Sequence, residues 1–241
     1  MAGTRVVDIA DQAGFGLVPA CADPRFDHRT CDYWEDAERG SKANRGAWLA
    51  VPTARPVAPA LVDNPFAQPA REVVDNPFAA ADDEPFENPF APTARRERPL
   101  REGIPRKLAM LDRGRGVFGS YAKVLLLDEA AVAYCQFGPL SAYPRALRLR
   151  DLYPQLPESP LPAVITCVAS TAAARGQGHA RALVDAVCAD LAERGFAAVE
   201  AYPDLTRDED ETSAARPGFW QTLGFTVAID DERFPVVRRE L

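Results

Sequence analysis

AVITCVAS (163–170) followed by TAAARGQGHA (171–180) is the stretch from which the rest of this chain can be read. Its first eight residues are a continuous apolar, largely β-branched run, the pattern of a strand buried on both faces. From Gly178 to Arg194 the apolar residues fall at 180, 183, 184, 187, 188 and 191, the spacing of one helix face, and Gly195 closes that helix. Between strand and helix, Gly176 and Gly178 remove side chains where a backbone must come close to a ligand. The helix that follows points its unpaired N–H groups and positive dipole end back at the loop, and Arg175 adds a permanent charge. Such a turn suits a pyrophosphate. The stretch contains neither GxGxxG nor GxxxxGK[ST], so it is neither a dinucleotide fingerprint nor a Walker loop.

Outward from this centre the pattern alternates between strands and helices. AKVLLLD (122–128) and AVAYCQFGP (131–139) predict two strands joined by a tight turn at Asp128 and Glu129. AAVEAYP (197–203), FTVAID (225–230) and FPVVRREL (234–241) predict further strands, and PGFWQTLG (217–224) a short helix. RKLAMLDRG predicts a helix stopped by Gly114 and Gly116, and the proline-rich 139–162 an irregular connection. Near the start, TRVVDIA (4–10) predicts a first strand and CDYWEDAERGSKA a short helix ending near Gly40. The fold class is α/β.

Residues 51–99 differ from everything around them. They hold 10 of the chain's 22 prolines in 49 of its 241 positions, and three Asn-Pro-Phe triplets recur at 64–66, 76–78 and 88–90 in acidic surroundings. A segment of this composition buries too little apolar surface to offset its ordering entropy, so it is expected to be disordered. The expected organisation is therefore 1–50 and 100–241 as two parts of one domain, interrupted by 51–99. Phe66, Phe78 and Phe90, each on an Asn-Pro turn, would suit weak multivalent docking to a protein partner. A spacer expanded by duplication would give the same repeats.

The net charge of −7 argues against a polyanion surface, so nucleic acid is not expected as a partner. No apolar run approaches the length of a membrane span, and Asp8 and Asp11 interrupt the first apolar stretch, so neither a membrane nor a secretory signal is expected. Five cysteines at 21, 31, 135, 167 and 188 lack the spacing of a disulfide scaffold and suit reduced thiols in the cytoplasm. Cys21, His28 and Cys31 lack a fourth metal ligand nearby, and no metal is expected. The 28 cationic residues divide into 25 Arg and 3 Lys, a bias consistent with GC-rich coding.

The string Arg175-Gly176-Gln177-Gly178-His179-Ala180 resembles the [RQ]-x-x-G-x-[GA] signature of the GNAT superfamily of acetyl-CoA-dependent N-acyltransferases, and it lies where that family carries it, between strand and helix. The words YCQFGP (134–139), ITC (165–167), VEAYP (199–203) and FW..LGF (219–225) resemble a branch common in high-GC bacteria. The resemblance covers 100–241 and extends to 1–50. It implies a mixed sheet whose fourth and fifth strands splay to leave a slot for the pantetheine arm of acetyl-CoA. Carried over by position, the backbone of Val168, Ala169 and Ser170 would bind the pantetheine and acetyl carbonyl, and Arg175 through Ala180, with Gln177, Gly178 and His179, the pyrophosphate. The family usually has Val near 170 and often Pro two residues on, where this chain has Ser170 and Ala172.

The chemistry implied is attack of a neutral amine on the thioester, which needs a base for the amine and an acid for the leaving thiolate. Glu200, on the strand flanking the slot, is the expected base and Tyr202 the expected acid, since strand alternation puts both on one face. Glu200 could equally be an ordinary strand residue. Phe219 and Trp220 are expected in the core. Cys135, Cys167 and Cys188 are expected to be buried small hydrophobes, with no His placed to activate Cys167. The acidic run 208–211 is read as a solvated loop that could also attract a cationic amine. The acceptor is a primary amine of unspecified kind. A GNAT fold that only binds partners through its Asn-Pro-Phe repeats is the alternative.

Overall fold

One seven-stranded sheet organises residues 3–22, 27–36, 105–206 and 213–241, which the computed structural model describes. The three Asn-Pro-Phe repeats, the acidic run 208–211 and the CDYWED segment beyond Asp36 lie outside the described residues. The strands are β1 (Thr4–Ile9), β2 (Ala122–Leu127), β3 (Ala130–Pro139), β4 (Ala163–Ser170), β5 (Ala198–Ala201), β6 (Thr226–Ile229) and β7 (Val236–Glu240), in the order β1-β2-β3-β4-β5-β7-β6. Every neighbouring pair is antiparallel except β4 and β5, so the fold is mixed α/β. A parallel pair needs a crossover, and the helix His179–Glu193 supplies it.

The other helices are α1 (Gln12–Phe15), α2 (Arg106–Phe118), α3 (Pro144–Arg150) and α5 (Pro217–Thr222), with His179–Glu193 as α4. Alternation along β3 divides its side chains between two environments. Ala133, Cys135 and Phe137 join Leu183, Val184, Val187, Cys188 and Leu191 of α4 in one apolar core. Tyr134 and Gln136 face the other way, where the segment 27–36 covers them: the His28 and Tyr134 rings are 5.6 Å apart, and Gln136 Nε2 donates to Glu35 Oε1 at 2.5 Å. The N-terminal part is knitted to the rest by β1 pairing with β2 and by Arg106, which bonds Asp32 at 2.9 Å and Asp36 at 3.0 Å.

Several local expectations need correction. Residues 33–35 form a turn, and no helix is present at 31–36. Helix α2 runs through Gly114 and Gly116 to end at Gly119, whose φ of 71° is the left-handed conformation of a helix stop. Glycine inside a helix costs only about 1 kcal/mol, and Gly114 lies against Ala142, so packing outweighs propensity. The proline-rich connection contains α3, because Pro144 occupies the first helical turn, where its missing N–H and fixed φ are no handicap. The β2–β3 turn is tight as expected, with Asp128 and Glu129 at φ 48° and 68°, the two positive values that match the strand twist.

Candidate functional site

Strands β4 and β5 pair only at Ala163–Val199 and Val164–Glu200, after which β4 continues alone on that side as far as Ser170. The register between β3 and β4 also slips: Gln136 opposes Cys167 and Phe137 opposes Ile165, so Thr166 has no partner. This bulge turns Thr166 and Cys167 together toward the side away from the α4 core, while Ile165 and Val168 stay in it. Where the strands part, a cavity of about 540 Å³ opens. Its walls come from β4 (Thr166–Ser170), from the glycine loop (Arg175, Gly176, Ala180) and from the segment around residues 21–34.

The glycine loop has the geometry its sequence requires. Gly176 and Gly178 take φ of 74° and 81°, which side-chain-bearing residues adopt only at a cost, and a Cβ at either would meet nothing within 4 Å, so the space above both is open. Gly178 is the cap of α4 and offers no side-chain bond to the first turn, which leaves the helix N–H groups facing the loop. Val168, Ala169, Ser170, Arg175, Gly176 and Ala180 line the cavity; Gln177, Gly178 and His179 belong to the same loop and helix start but do not line it. Gln177 braces the loop by donating to Ala173 O at 2.9 Å, and its Oε1 lies 3.3 Å from His179 Nε2. The open cradle, the helix start and Arg175 fit a diphosphate, and the parted strands fit an extended arm leading from it.

Glu200 and Tyr202 are not brought to this cavity. They share one face, as alternation predicts, and Tyr202 donates to Glu200 Oε2 at 2.7 Å. Yet Glu200 is fully buried, with Arg238 Nη1 2.9 Å from Oε1 and Arg150 Nε 3.2 Å from Oε2. A carboxylate between two guanidinium groups is neutralised where it stands and has no path to an incoming amine. Burial first, then the Glu200 charge, push the Tyr202 hydroxyl well above its ordinary range, which keeps it a donor to Glu200. The residues expected as base and acid therefore do not line the cavity, and Glu200 holds α3, β5 and β7 together.

Other residues take the cavity. Asp204, just beyond β5, is the one acidic residue lining it among the described residues. Its Oδ2 accepts from Tyr33 at 3.1 Å and its Oδ1 from the Thr206 amide at 3.1 Å. Tyr33 and Trp34 meet edge to face at 5.2 Å, and Arg145 lies over the Tyr33 ring at 3.6 Å and donates to its hydroxyl. Phe219, half-buried, packs against the core and also lines the cavity, while Trp220 is buried in the core. Cys135 and Cys188 are core residues as expected, but Cys167 lines the cavity and its Sγ lies 3.5 Å from His28 Nδ1, a neighbour the linear order of the chain concealed. Burial nevertheless pushes the Cys167 thiol up to about 12, so it is protonated at neutral pH. Cys21, His28 and Cys31 line the same cavity, and among the described residues no three such side chains are arranged to hold a metal.

No family model and no curated protein matches this chain. Among solved structures, 190 chains match. The chain is similar to the PaiA N-acetyltransferase of Thermoplasma acidophilum, solved in complex with coenzyme A, with 9% identity over 56% of this chain and 70% of that one and a TM-score of 0.39. It is similar to a Desulfovibrio desulfuricans protein described as an acetyltransferase of the GNAT family, with 17% identity over 56% and 78% of the two chains and a TM-score of 0.39. It is also similar to Ard1 of Thermoplasma volcanium, with 15% identity over 59% and 84% and a TM-score of 0.38.

Proposed function

We infer that this chain, whose strand order, parted β4 and β5 and glycine loop are those of the GNAT acyltransferase fold, transfers an acyl group, acetyl above all, from its coenzyme A thioester to a primary amine. The observation that carries this reading is the cavity at the parting of β4 and β5, which runs from the backbone of Val168, Ala169 and Ser170 to the cradle at Arg175 and Gly176. The donor supplies an activated carbonyl. The backbone of β4 beyond the bulge, free of a β5 partner, has groups to spend on the pantetheine amides. Arg175 and the first turn of α4, with Gln177, Gly178 and His179 shaping the loop, hold the diphosphate.

On the acceptor side, Asp204 receives the proton that the amine must lose, either directly or through water. Tyr33 orients that carboxylate, and Trp34 and Phe219 give the acceptor an aromatic wall. The products are the amide and the free thiol of coenzyme A, with no metal needed to activate a thioester. Calorimetry with acetyl-CoA and CoA, together with thiol release across a panel of amines and peptides, tests the reading: binding at one site per chain with amine-dependent thiol release is expected, and absence of binding overturns it. A protein partner for Phe66, Phe78 and Phe90 is a separate reading, favoured only by the threefold spacing of 12 residues, and pull-downs with and without residues 51–99 decide it.

A further inference from the structure

One amine of the protein stands inside the cavity. Lys107, the second residue of α2, is 5% exposed and lines the cavity beside Gln136, Thr166 and Cys167. Its Nζ lies 3.9 Å from Glu35 Oε1, close enough for an ion pair and too far for a hydrogen bond. Glu35 is itself 3% exposed; Oε1 accepts from Gln136, and Oε2 has no hydrogen-bond partner among the described residues. After burial, Lys107 is the strongest influence on the Cys167 thiol, and it acts to lower it, which sets the ammonium near the β4 residues that precede Val168.

The other described lysine is held differently. Lys123 bonds Asp8 at 2.7 Å and Asp190 at 2.9 Å on the far side of the sheet's chemistry, and it does not line the cavity. The chain carries about eight arginines for every lysine. Arginine would serve as well wherever a fixed cation is wanted, but a guanidinium does not give up its proton. At position 107 the chain keeps the cation that can become a nucleophile.

We propose that Lys107 is itself an acyl acceptor, modified within the cavity by the thioester bound there. The inference rests on the acyl-CoA reading above. Glu35 takes a proton from Nζ; the neutral amine attacks the thioester carbonyl; the C–N bond forms, the C–S bond breaks, and coenzyme A leaves as the thiol once its sulfur has taken one of the two remaining amine protons, the other staying on the amide nitrogen. No oxidant or reductant is involved. The product is an uncharged Nζ-acyl-lysine that projects into the space an external amine would use, so the modification lowers later turnover.

The full chain is incubated with acetyl-CoA in an amine-free buffer, and its intact mass and peptide map are followed with time. One acetyl group at Lys107 is expected, at a rate per chain that does not change with protein concentration, while heat-unfolded chain gains none there. Lys107→Arg abolishes it, Lys123→Arg retains it, and Glu35→Gln slows it roughly tenfold or more. Acetyl-CoA binding by calorimetry without acetylation of Lys107 overturns the proposal and leaves the acyl-CoA reading standing. Acetyl groups found only on Lys42, Lys123 or the terminal amine overturn it as well. Absence of binding removes both.

Discussion

Glu200 on β5 faces Arg238 on β7 as a directly paired cross-strand couple, 2.9 Å apart and closed to solvent on the carboxylate side. With Arg150 on the second oxygen, the group is a three-part ionic joint between a helix and two strands. Its attraction is not worth much against the cost of burying it, but taking away one member leaves the others uncompensated.

Glu200→Gln is therefore expected to destabilise the fold by about 3–5 kcal/mol, seen as a lower denaturation midpoint, with acyl-CoA affinity retained in whatever fraction stays folded. A variant of normal stability and lost turnover would return Glu200 to the role of catalytic base.

Gly178→Ala is expected to strain the loop, since φ of 81° costs a side-chain-bearing residue roughly 1–2 kcal/mol. Gly178→Glu adds a carboxylate to the cradle, and Arg175→Ala removes a cation from the cavity wall. Each is expected to weaken acetyl-CoA by about tenfold or more, about 1.4 kcal/mol, in calorimetry. Unchanged affinity in both would mean that the diphosphate binds elsewhere.

Asp204→Asn is expected to lower kcat roughly a hundredfold or more while acetyl-CoA affinity stays as it was. Tyr33→Phe, which removes the hydroxyl bonded to Oδ2, is expected to fall between the two.

The acid limit of stability has a specific source. Burial alone would raise the Asp190 carboxyl, but bonds from Arg194 and Lys123 outweigh it and hold the group below its ordinary 3.8. A depressed folded value means that this stabilisation is present above pH 3.8 and lost as pH falls through the folded value. Burial would lower Lys123, yet its bonds to Asp8 and Asp190 raise it above 10.5, so its contribution holds below pH 10.5 and fades as pH rises through the folded value. The contribution of this pair to the midpoints should be flat between these limits, and Asp190→Asn should weaken the acid limb. Asp231, depressed by the amides of Phe234 and Arg233 against a burial effect in the other direction, leaves part of it in place.

What could be read from the sequence was whatever depends on local pattern. The run 163–170, the helix after Gly178 and the β2–β3 hairpin follow from periodicity and glycine placement, and all three are where the residues predict. The cavity wall made by β4 and the glycine loop is legible for the same reason, because it is built from consecutive residues. The opposite wall is not. His28, Tyr33, Glu35, Lys107 and Asp204 come from three separated segments, and no spacing rule connects them. Glu200 and Tyr202 show the limit from the other direction: alternation correctly gave them one face, but which groups fill that face depends on Arg150 and Arg238, at distances of 50 and 38 positions along the chain.

The bulge at Thr166 and the covering segment 27–36 also bear on how this chain can be divided. A fragment beginning near residue 100 would keep the glycine loop and the parted strands. It would have no lid over Gln136, no Tyr33 to steady Asp204 and no counter-ion for Lys107. On the acyl-CoA reading proposed above, such a fragment should leave a bound thioester open to water, so that trimming the chain would favour slow hydrolysis over transfer to an amine.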